Sequence, residues 1–224
     1  MVFAHPDDAE FTAGGTIARW VNDGRKVSYV VCTDGSKGAE IDYIDKEGLV
    51  VMRQAEQQAA ASVLGVAEVI FLKCPDGELS SSKDFVAELA KLIRRFSPVT
   101  LLTWDPWRPY QLHADHRAAG FAALDAVMAA GNARYFPEQL DDGLEPHQVG
   151  EIYLFGTDQP DTWVDIGSTF NRKTEAIRKH ASQFADPDDV IRHIEEWNSY
   201  VGQTQGYSYA ESFKVLRPEC SICR

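Results

Sequence analysis

Ala4-His5-Pro6-Asp7-Asp8-Ala9-Glu10 decides how this chain folds. A short apolar run, Met1 to Ala4, stops on an imidazole and two adjacent carboxylates, and Gly14-Gly15 then lead into an amphipathic pattern. Pro6 has no N–H to offer a β-ladder, so it ends the strand and stiffens the turn. In an open parallel sheet, ligands collect in the crevice beyond the carboxyl ends of the strands. A strand that stops on His-Pro-Asp-Asp therefore delivers metal- or proton-handling groups to that crevice. With Met1 so close to the motif, this first strand is expected to be short or slightly truncated.

Outward from the motif, strand and helix signals alternate. Thr16 to Asp23 places Ile17, Trp20 and Val21 at helical spacing, and Gly24 stops it. Lys26 to Thr33 is a β-branched run suited to a strand buried on both faces. It opens into the turn-rich loop Thr33-Asp34-Gly35-Ser36-Lys37-Gly38, followed by a polar, mobile segment from Ala39 to Glu47. Leu49 to Leu64, closed by Gly65, reads as a helix, and Glu68 to Lys73 as a strand ending in Cys74-Pro75-Asp76-Gly77. Ser82 to Phe96 is a serine-capped helix, and Val99 to Trp104 is a buried strand. The rigid aromatic loop Asp105-Pro106-Trp107-Arg108-Pro109-Tyr110 leads on to His113-Ala114-Asp115-His116.

An Ala-rich helix from Arg117 to Ala130, an irregular flap or subunit contact over 132–150, and a fifth strand from Glu151 to Phe155 follow. Helices over Thr169–Phe184 and about Asp188 to Tyr200 complete the pattern, the second started by Asp186-Pro187-Asp188-Asp189. This is an α/β chain: a Rossmann-like, mostly parallel sheet with helices on both faces. There is no internal repeat or linker, so residues 1–224 are expected to form one domain with the last few as a tail. Gly14-Gly15 lacks the full dinucleotide fingerprint and follows an acidic loop, which argues against a phosphate cradle.

Composition narrows the partners. The 224 residues are 44% hydrophobic and 25% charged, with a formal charge of −12 and a pI near 4.9. That field repels nucleic acid and anionic membranes and favours a neutral substrate or a bound cation. No run approaches the roughly 20 apolar residues of a membrane helix, and no basic leader is recognisable, so a cytoplasmic location is expected. Cys32 and Cys74 fall in or beside apolar runs as small hydrophobes. Cys220-Ser221-Ile222-Cys223 has zinc or redox spacing but no second pair, and reads as a frayed tail.

Imidazole and carboxylate are ordinary zinc ligands, and catalytic zinc keeps three protein ligands plus an open position. His5 and Asp8 on one loop could supply two, and His116 from another strand end the third. Asp7 would then stand beside the metal, placed to take a proton from water. His113 lies one helical turn before His116, and Asp115 could orient one of these imidazoles.

Taken together, Ala4-His5-Pro6-Asp7-Asp8 and His113-Ala114-Asp115-His116 resemble the PIG-L/LmbE family of zinc-dependent N-acetylglucosaminyl de-N-acetylases. The resemblance continues through Thr33-Asp34-Gly35-Ser36-Lys37-Gly38, then Arg53, Glu56, Ala59-Ala60 and Leu64-Gly65-Val66. It extends to Pro75-Asp76-Gly77-Glu78-Leu79 and His180-Ala181-Ser182-Gln183. It implies His5, Asp8 and His116 as ligands of Zn2+ (or another divalent ion such as Fe2+), with Asp7 as general base. It implies His113 as the electrophilic or acid partner tuned by Asp115, and Arg53 and Asp76 as holders of sugar hydroxyls. Assembly into a homo-oligomer is expected from the same resemblance. Where mycothiol-pathway members carry a tyrosine two residues before the histidine, this chain has Gln111, with Tyr110 adjacent.

The expected activity is hydrolysis of the N-acetyl group of an N-acetylglucosamine-type sugar or conjugate. The competing readings are a metal-dependent hydrolase of another small amide or ester, and a non-catalytic sugar- or metal-binding module. Trp104, Trp107 and Tyr110 either stack on a sugar or wall the loop, whereas Trp197 and Tyr200 read as core or interface.

Overall fold

The computed structural model describes residues 1–38 and 45–218. The segment 39–44 and the Cys220/Cys223 pair lie outside the described residues. In chain order the elements are β1 (Val2–Phe3), α1 (Asp8–Asn22), β2 (Ser28–Thr33), α2 (Lys46–Leu64), β3 (Glu68–Cys74), α3 (Lys83–Phe96) and β4 (Thr100–Trp104). Then come α4 (Ala114–Ala130), α5 (Glu138–Asp141), β5 (Glu151–Phe155), β6 (Thr162–Asp165), α6 (Phe170–Ile177), α7 (Pro187–Gln203) and β7 (Ala210–Leu216).

β1, β2 and β3 pair in parallel, as do β4 and β5, while β7 runs antiparallel between β5 and β6. The two hydrogen-bonded groups act as one layer, because their alternate residues feed the same two cores. Val2, Val30, Leu101 and Leu154 pack under α3 and α4, with Leu89, Ile93, Ala119 and Ala123. Phe3, Val31, Leu102 and Phe155 pack on the opposite side against Ala13 and Ile17 of α1 and Ala60 and Leu64 of α2. Burial on both faces is what makes the inner strands read as unbroken apolar runs.

The α/β architecture with helices on both faces is as expected, and the parallel part is the part that the sequence pattern showed. Two strands were not anticipated. β7 alternates buried apolar residues with Ser212 and Lys214, and β6 is four residues long, so neither presents an apolar run. Helix bounds also differ. α1 begins at Asp8 rather than Thr16, because its two glycines weaken the helical signal while serving packing. A Cβ on Gly15 would lie 2.7 Å from Ile166, and one on Gly14 would lie 3.3 Å from Lys173. The helix expected over Thr169–Phe184 stops at Ile177, and Ala181–Gln183 forms a short 3-10 turn instead. There Glu56 of α2 takes the Ser182 N–H and hydroxyl, both at 2.7 Å, which pulls the chain away from the helix axis.

The caps follow the sequence rules. Asp45 accepts from the Gly48 N–H, Ser82 from Phe85, and Asp186 from Asp188 and Asp189, with Pro187 in the first turn of α7. Among the described residues no helix is long and apolar enough to cross a membrane. A cavity of about 640 Å³ opens at the amino ends of β2 and β4, lined chiefly by apolar residues such as Ile17, Val30, Leu89 and Leu101. The groups that can do chemistry gather at the other end, where β1, β2, β3 and β4 all deliver their following loops.

Candidate active site

His5 and Asp8 flank the turn that Pro6 enforces between β1 and α1. The Asp8 carboxylate folds back so that Oδ2 accepts from the N–H of Ala4 at 3.0 Å and of His5 at 2.9 Å. The Trp104 indole N–H reaches the same oxygen at 3.0 Å. Oδ1 is left to face His116, whose Nε2 lies 3.3 Å away. His5 Nδ1 stands 3.2 Å from that same Nε2 and 3.7 Å from Asp8 Oδ2. Ligands about 2.0–2.1 Å from a tetrahedral zinc are separated by about 3.3 Å, which is the spacing of His116 Nε2 from both His5 Nδ1 and Asp8 Oδ1.

Two other triads share His5: one with His113 and His116, one with Asp76 and Asp115. The first is incompatible with a single ion in this arrangement, because the His113 and His116 rings are stacked, 4.2 Å apart and 13° from parallel. Nitrogen lone pairs lie in the ring planes, so an ion in one plane is out of reach of the other. The second triad uses the outer nitrogen of His5. Nε2 lies 3.2 Å from Asp115 Oδ2 and 3.4 Å from Asp76 Oδ1. Both carboxylates are themselves held by backbone: Asp115 by the N–H of Gly77 and Leu79, Asp76 by that of Lys37. Such carboxylates orient a ligand imidazole from behind and strengthen it as a donor.

The electrostatics call for a cation. Burial opposes a charge on His5, yet Asp76 and Asp8 outweigh it and raise its pKa to about 10. Burial alone would raise the Asp8 pKa, but His116 and His5 hold it well below the usual carboxylate range. The same opposition, with His5 and the Lys37 N–H prevailing, takes Asp76 to about 2. A pocket of carboxylates that pins a proton onto a buried imidazole has the charge and the donors for a divalent ion.

Asp7 occupies the turn itself. Its carboxyl pKa is lifted to about 6, chiefly by burial, against the pull of Arg53. Arg53, 2% exposed on α2, donates to Asp7 Oδ2 at 3.1 Å, to the Pro6 carbonyl at 2.6 Å and to the Gly35 carbonyl at 2.8 Å. His113 precedes the first turn of α4, and burial followed by its two histidine neighbours lowers its pKa.

Of the eight residues singled out in the sequence, seven line one cavity of about 300 Å³: His5, Asp7, Asp8, Arg53, Asp76, His113 and His116. Asp115 lies beneath it, fully buried, and its hydrogen-bonding partners among the described residues are His5, Gly77 and Leu79 rather than His113. Lys37 and Gly38 complete the lining. Trp104, left open between sugar platform and wall, is 8% exposed and belongs to the site's frame. Trp107 and Tyr110 are 58% and 96% exposed. The residues missed were Gln57, Glu10 and His180, which close around Asp7 from behind. The available signal was Glu10 within the opening motif and His180 within His180-Ala181-Ser182-Gln183.

Comparison with known proteins adds a lineage to this geometry. The family model described as PIG-L, GlcNAc-PI de-N-acetylase, matches residues 1–127. Diacetylchitobiose deacetylase of Thermococcus kodakarensis is 35% identical over 219 residues, covering 95% of this chain and 80% of that protein. The crystallised N,N'-diacetylchitobiose deacetylase of Pyrococcus horikoshii, in complex with an inhibitor, superposes with a TM-score of 0.91 at 32% identity. That alignment covers 96% of this chain and 82% of that one. A 4-oxalmesaconate hydratase of Pseudomonas putida is 31% identical over 218 residues, 92% of this chain and 78% of its own. The matched segment runs from the opening motif past His116, and the chain belongs to the PIG-L family, that of the GlcNAc-PI de-N-acetylases.

Proposed function

We propose that this protein is a zinc-dependent hydrolase that removes the N-acetyl group from an N-acetylglucosamine-type sugar or conjugate, releasing acetate and a free amine. The observation that carries the reading is the approach of His5 Nδ1 and Asp8 Oδ1 to His116 Nε2, with Asp7 lining the same cavity. These three residues would hold the ion, which supplies Lewis acidity toward an amide carbonyl and a lowered pKa for water. Their imidazole and carboxylate donors fit zinc and also Fe2+.

Asp7 acts as general base. A half-buried carboxyl with a pKa near 6 is ionised at neutral pH yet more basic than an exposed one, and Arg53 keeps its oxygens aimed. The proton that it takes from water is the one the departing nitrogen needs when the C–N bond breaks. His113, on the cavity wall, donates an N–H to the developing oxyanion. Arg53 lines the same cavity and would face a sugar hydroxyl there. Asp76 shares that wall through its contact with His5. A cavity of about 300 Å³ suits one acetamido sugar ring.

The hydratase relative supports a second reading, in which the same water adds across a carbon–carbon double bond, Asp7 taking its proton and the second carbon receiving one. Incubating the zinc-loaded protein with a panel of N-acetylated amino-sugar glycosides, with mass detection of the amine, separates the two. Acetate release in step with amine supports the hydrolase. Turnover of an unsaturated tricarboxylate, with no acetate from any sugar, overturns it. The full reading includes one domain over 1–224, a cytoplasmic location and a homo-oligomer, for which exposed Trp197 and Tyr200 on α7 offer a contact surface.

A further inference from the structure

Asp7 adopts φ 111° and ψ −31°, a backbone conformation that L-residues rarely occupy and that concentrates at functional sites when surrounding structure enforces it. What enforces it is a buried chain of side chains outside the catalytic cavity. The Asp7 N–H donates to Gln57 Oε1 at 2.9 Å. The Gln57 amide nitrogen donates to both oxygens of Glu10, at 3.1 and 3.2 Å. His180 Nε2 lies 3.1 Å from Glu10 Oε2. Gln57, Glu10 and His180 are all fully buried, and they come from α2, α1 and the loop after α6. The Gln57 amide cannot flip without turning its NH2 toward the Asp7 N–H and its oxygen toward Glu10. Its orientation is therefore dictated, and with it the acceptor presented to Asp7.

We propose that Gln57 is a positioning residue for the general base. By holding the N–H of a residue at positive φ, it keeps the Asp7 carboxylate standing in the cavity, while Glu10 and His180 hold Gln57 in the only orientation that does so. Arg53 grips the Asp7 side chain and Gln57 its backbone. The inference rests on the reading of Asp7 as base.

The test compares zinc-loaded Gln57→Met and Gln57→Glu with the parent protein. Gln57→Met keeps the volume and removes the acceptor; kcat is expected to fall about 10- to 100-fold, a fraction of what a general base contributes. KM and zinc stoichiometry stay unchanged. Gln57→Glu, whose protonated carboxyl accepts from Asp7 and donates to Glu10, should recover activity to within about 5-fold of the parent. In an Asp7→Asn background, Gln57→Met should cost nothing further, because a residue that acts only through Asp7 has nothing left to position. Should Gln57→Met not fold, Gln57→Asn withdraws the amide by one methylene and carries the same expectation. Parental kcat in Gln57→Met, or losses that multiply in the double variant, overturn the proposal. If the parent protein releases no acetate at all, the hydrolase reading fails, and a crystal structure of Gln57→Met still decides the positioning. Asp7 leaving the positive-φ region supports it, and Asp7 remaining near 111° overturns it.

Discussion

The Trp104 indole lies parallel to the His116 imidazole, with ring centroids 3.9 Å apart and planes 12° from coincident. His113 stacks on His116 at 4.2 Å, and His116 Nδ1 has no hydrogen-bond partner among the described residues. A ligand histidine is ordinarily aimed by a hydrogen bond to its second nitrogen. For His116, the ligand proposed above, stacking would supply the aim, and the same indole holds Asp8 through its N–H. Trp104→Phe keeps a ring against His116 but gives up the bond to Asp8, so zinc affinity should fall about 10-fold. Trp104→Leu gives up both and should fall about 100-fold, as read by competition with a chromogenic chelator. Equal affinities in all three proteins would remove Trp104 from the metal's frame.

Gly156 makes that stacking possible. It sits at φ 66°, and a Cβ there would lie 2.5 Å from Trp104 Cζ3. Gly156→Ala is expected to cost about 1–3 kcal/mol of stability from backbone strain and crowding, and to weaken zinc binding in parallel. Thermal melts with and without zinc check both halves. A variant that melts like the parent and binds zinc normally would show that the indole has room to shift.

Asp7→Asn keeps the size and tolerates positive φ, so the fold and the ligand set should survive. Zinc stoichiometry is expected to be unchanged while kcat falls about 10²- to 10⁴-fold, the usual contribution of a general base. Loss of zinc, with normal specific activity after reloading, would exchange the roles of Asp7 and a ligand.

Much of this site was legible because it is local in sequence. His5, Asp7 and Asp8 share one turn, and His113 to His116 share one helix start, so a strand followed by a turn already says where they face. Their mutual approach was legible only through topology: β1 and β4 are distant in sequence but neighbours in the molecule. What could not be read was which polar atom meets which. Asp115 follows His113 closely, yet its direction at the start of α4 sends it to His5, a partner 110 positions away. Asp76 likewise fits a substrate-facing loop by position, and its contact with His5 depends on how β3 and β1 are offset. The antiparallel strands β6 and β7 escaped for a different reason. One is short and the other alternates, and neither announces an apolar run.

Metal removal ties the site to pH. In the metal-free protein His5 has its pKa raised to about 10, above its unfolded value of about 6.5. A raised folded pKa contributes stability that is fully present below about 6.5 and is lost as pH rises through about 10. Chelator-stripped protein should therefore lose thermal stability across that window, while zinc-loaded protein does not. A zinc ion held by His5 as proposed would displace its proton, so its apparent affinity should rise about tenfold per pH unit below about pH 9, with about one proton released per ion. A pH-independent affinity would mean that His5 is neutral before the metal arrives.

Asp115 and His113, two residues apart, should fail in different ways. Asp115 is fully buried, takes N–H bonds from Gly77 at 2.7 Å and Leu79 at 3.1 Å, and sits behind the His5 ring. Asp115→Asn presents an NH2 where the backbone already donates, so the loop after β3 must shift and His5 loses part of its support. Zinc affinity should drop about 10- to 100-fold, with kcat of the reloaded enzyme much less affected. His113 cannot share an ion with His116 while their rings are stacked, and it lines the cavity. His113→Gln should therefore keep zinc affinity within about 3-fold while kcat falls by about 10²-fold or more, the loss typical of an oxyanion donor. The contrast is read from paired zinc titrations and steady-state kinetics on the two variants. If His113→Gln sheds zinc and Asp115→Asn keeps it, then the His5, His113, His116 triad is the metal site and the stacked geometry must open to form it.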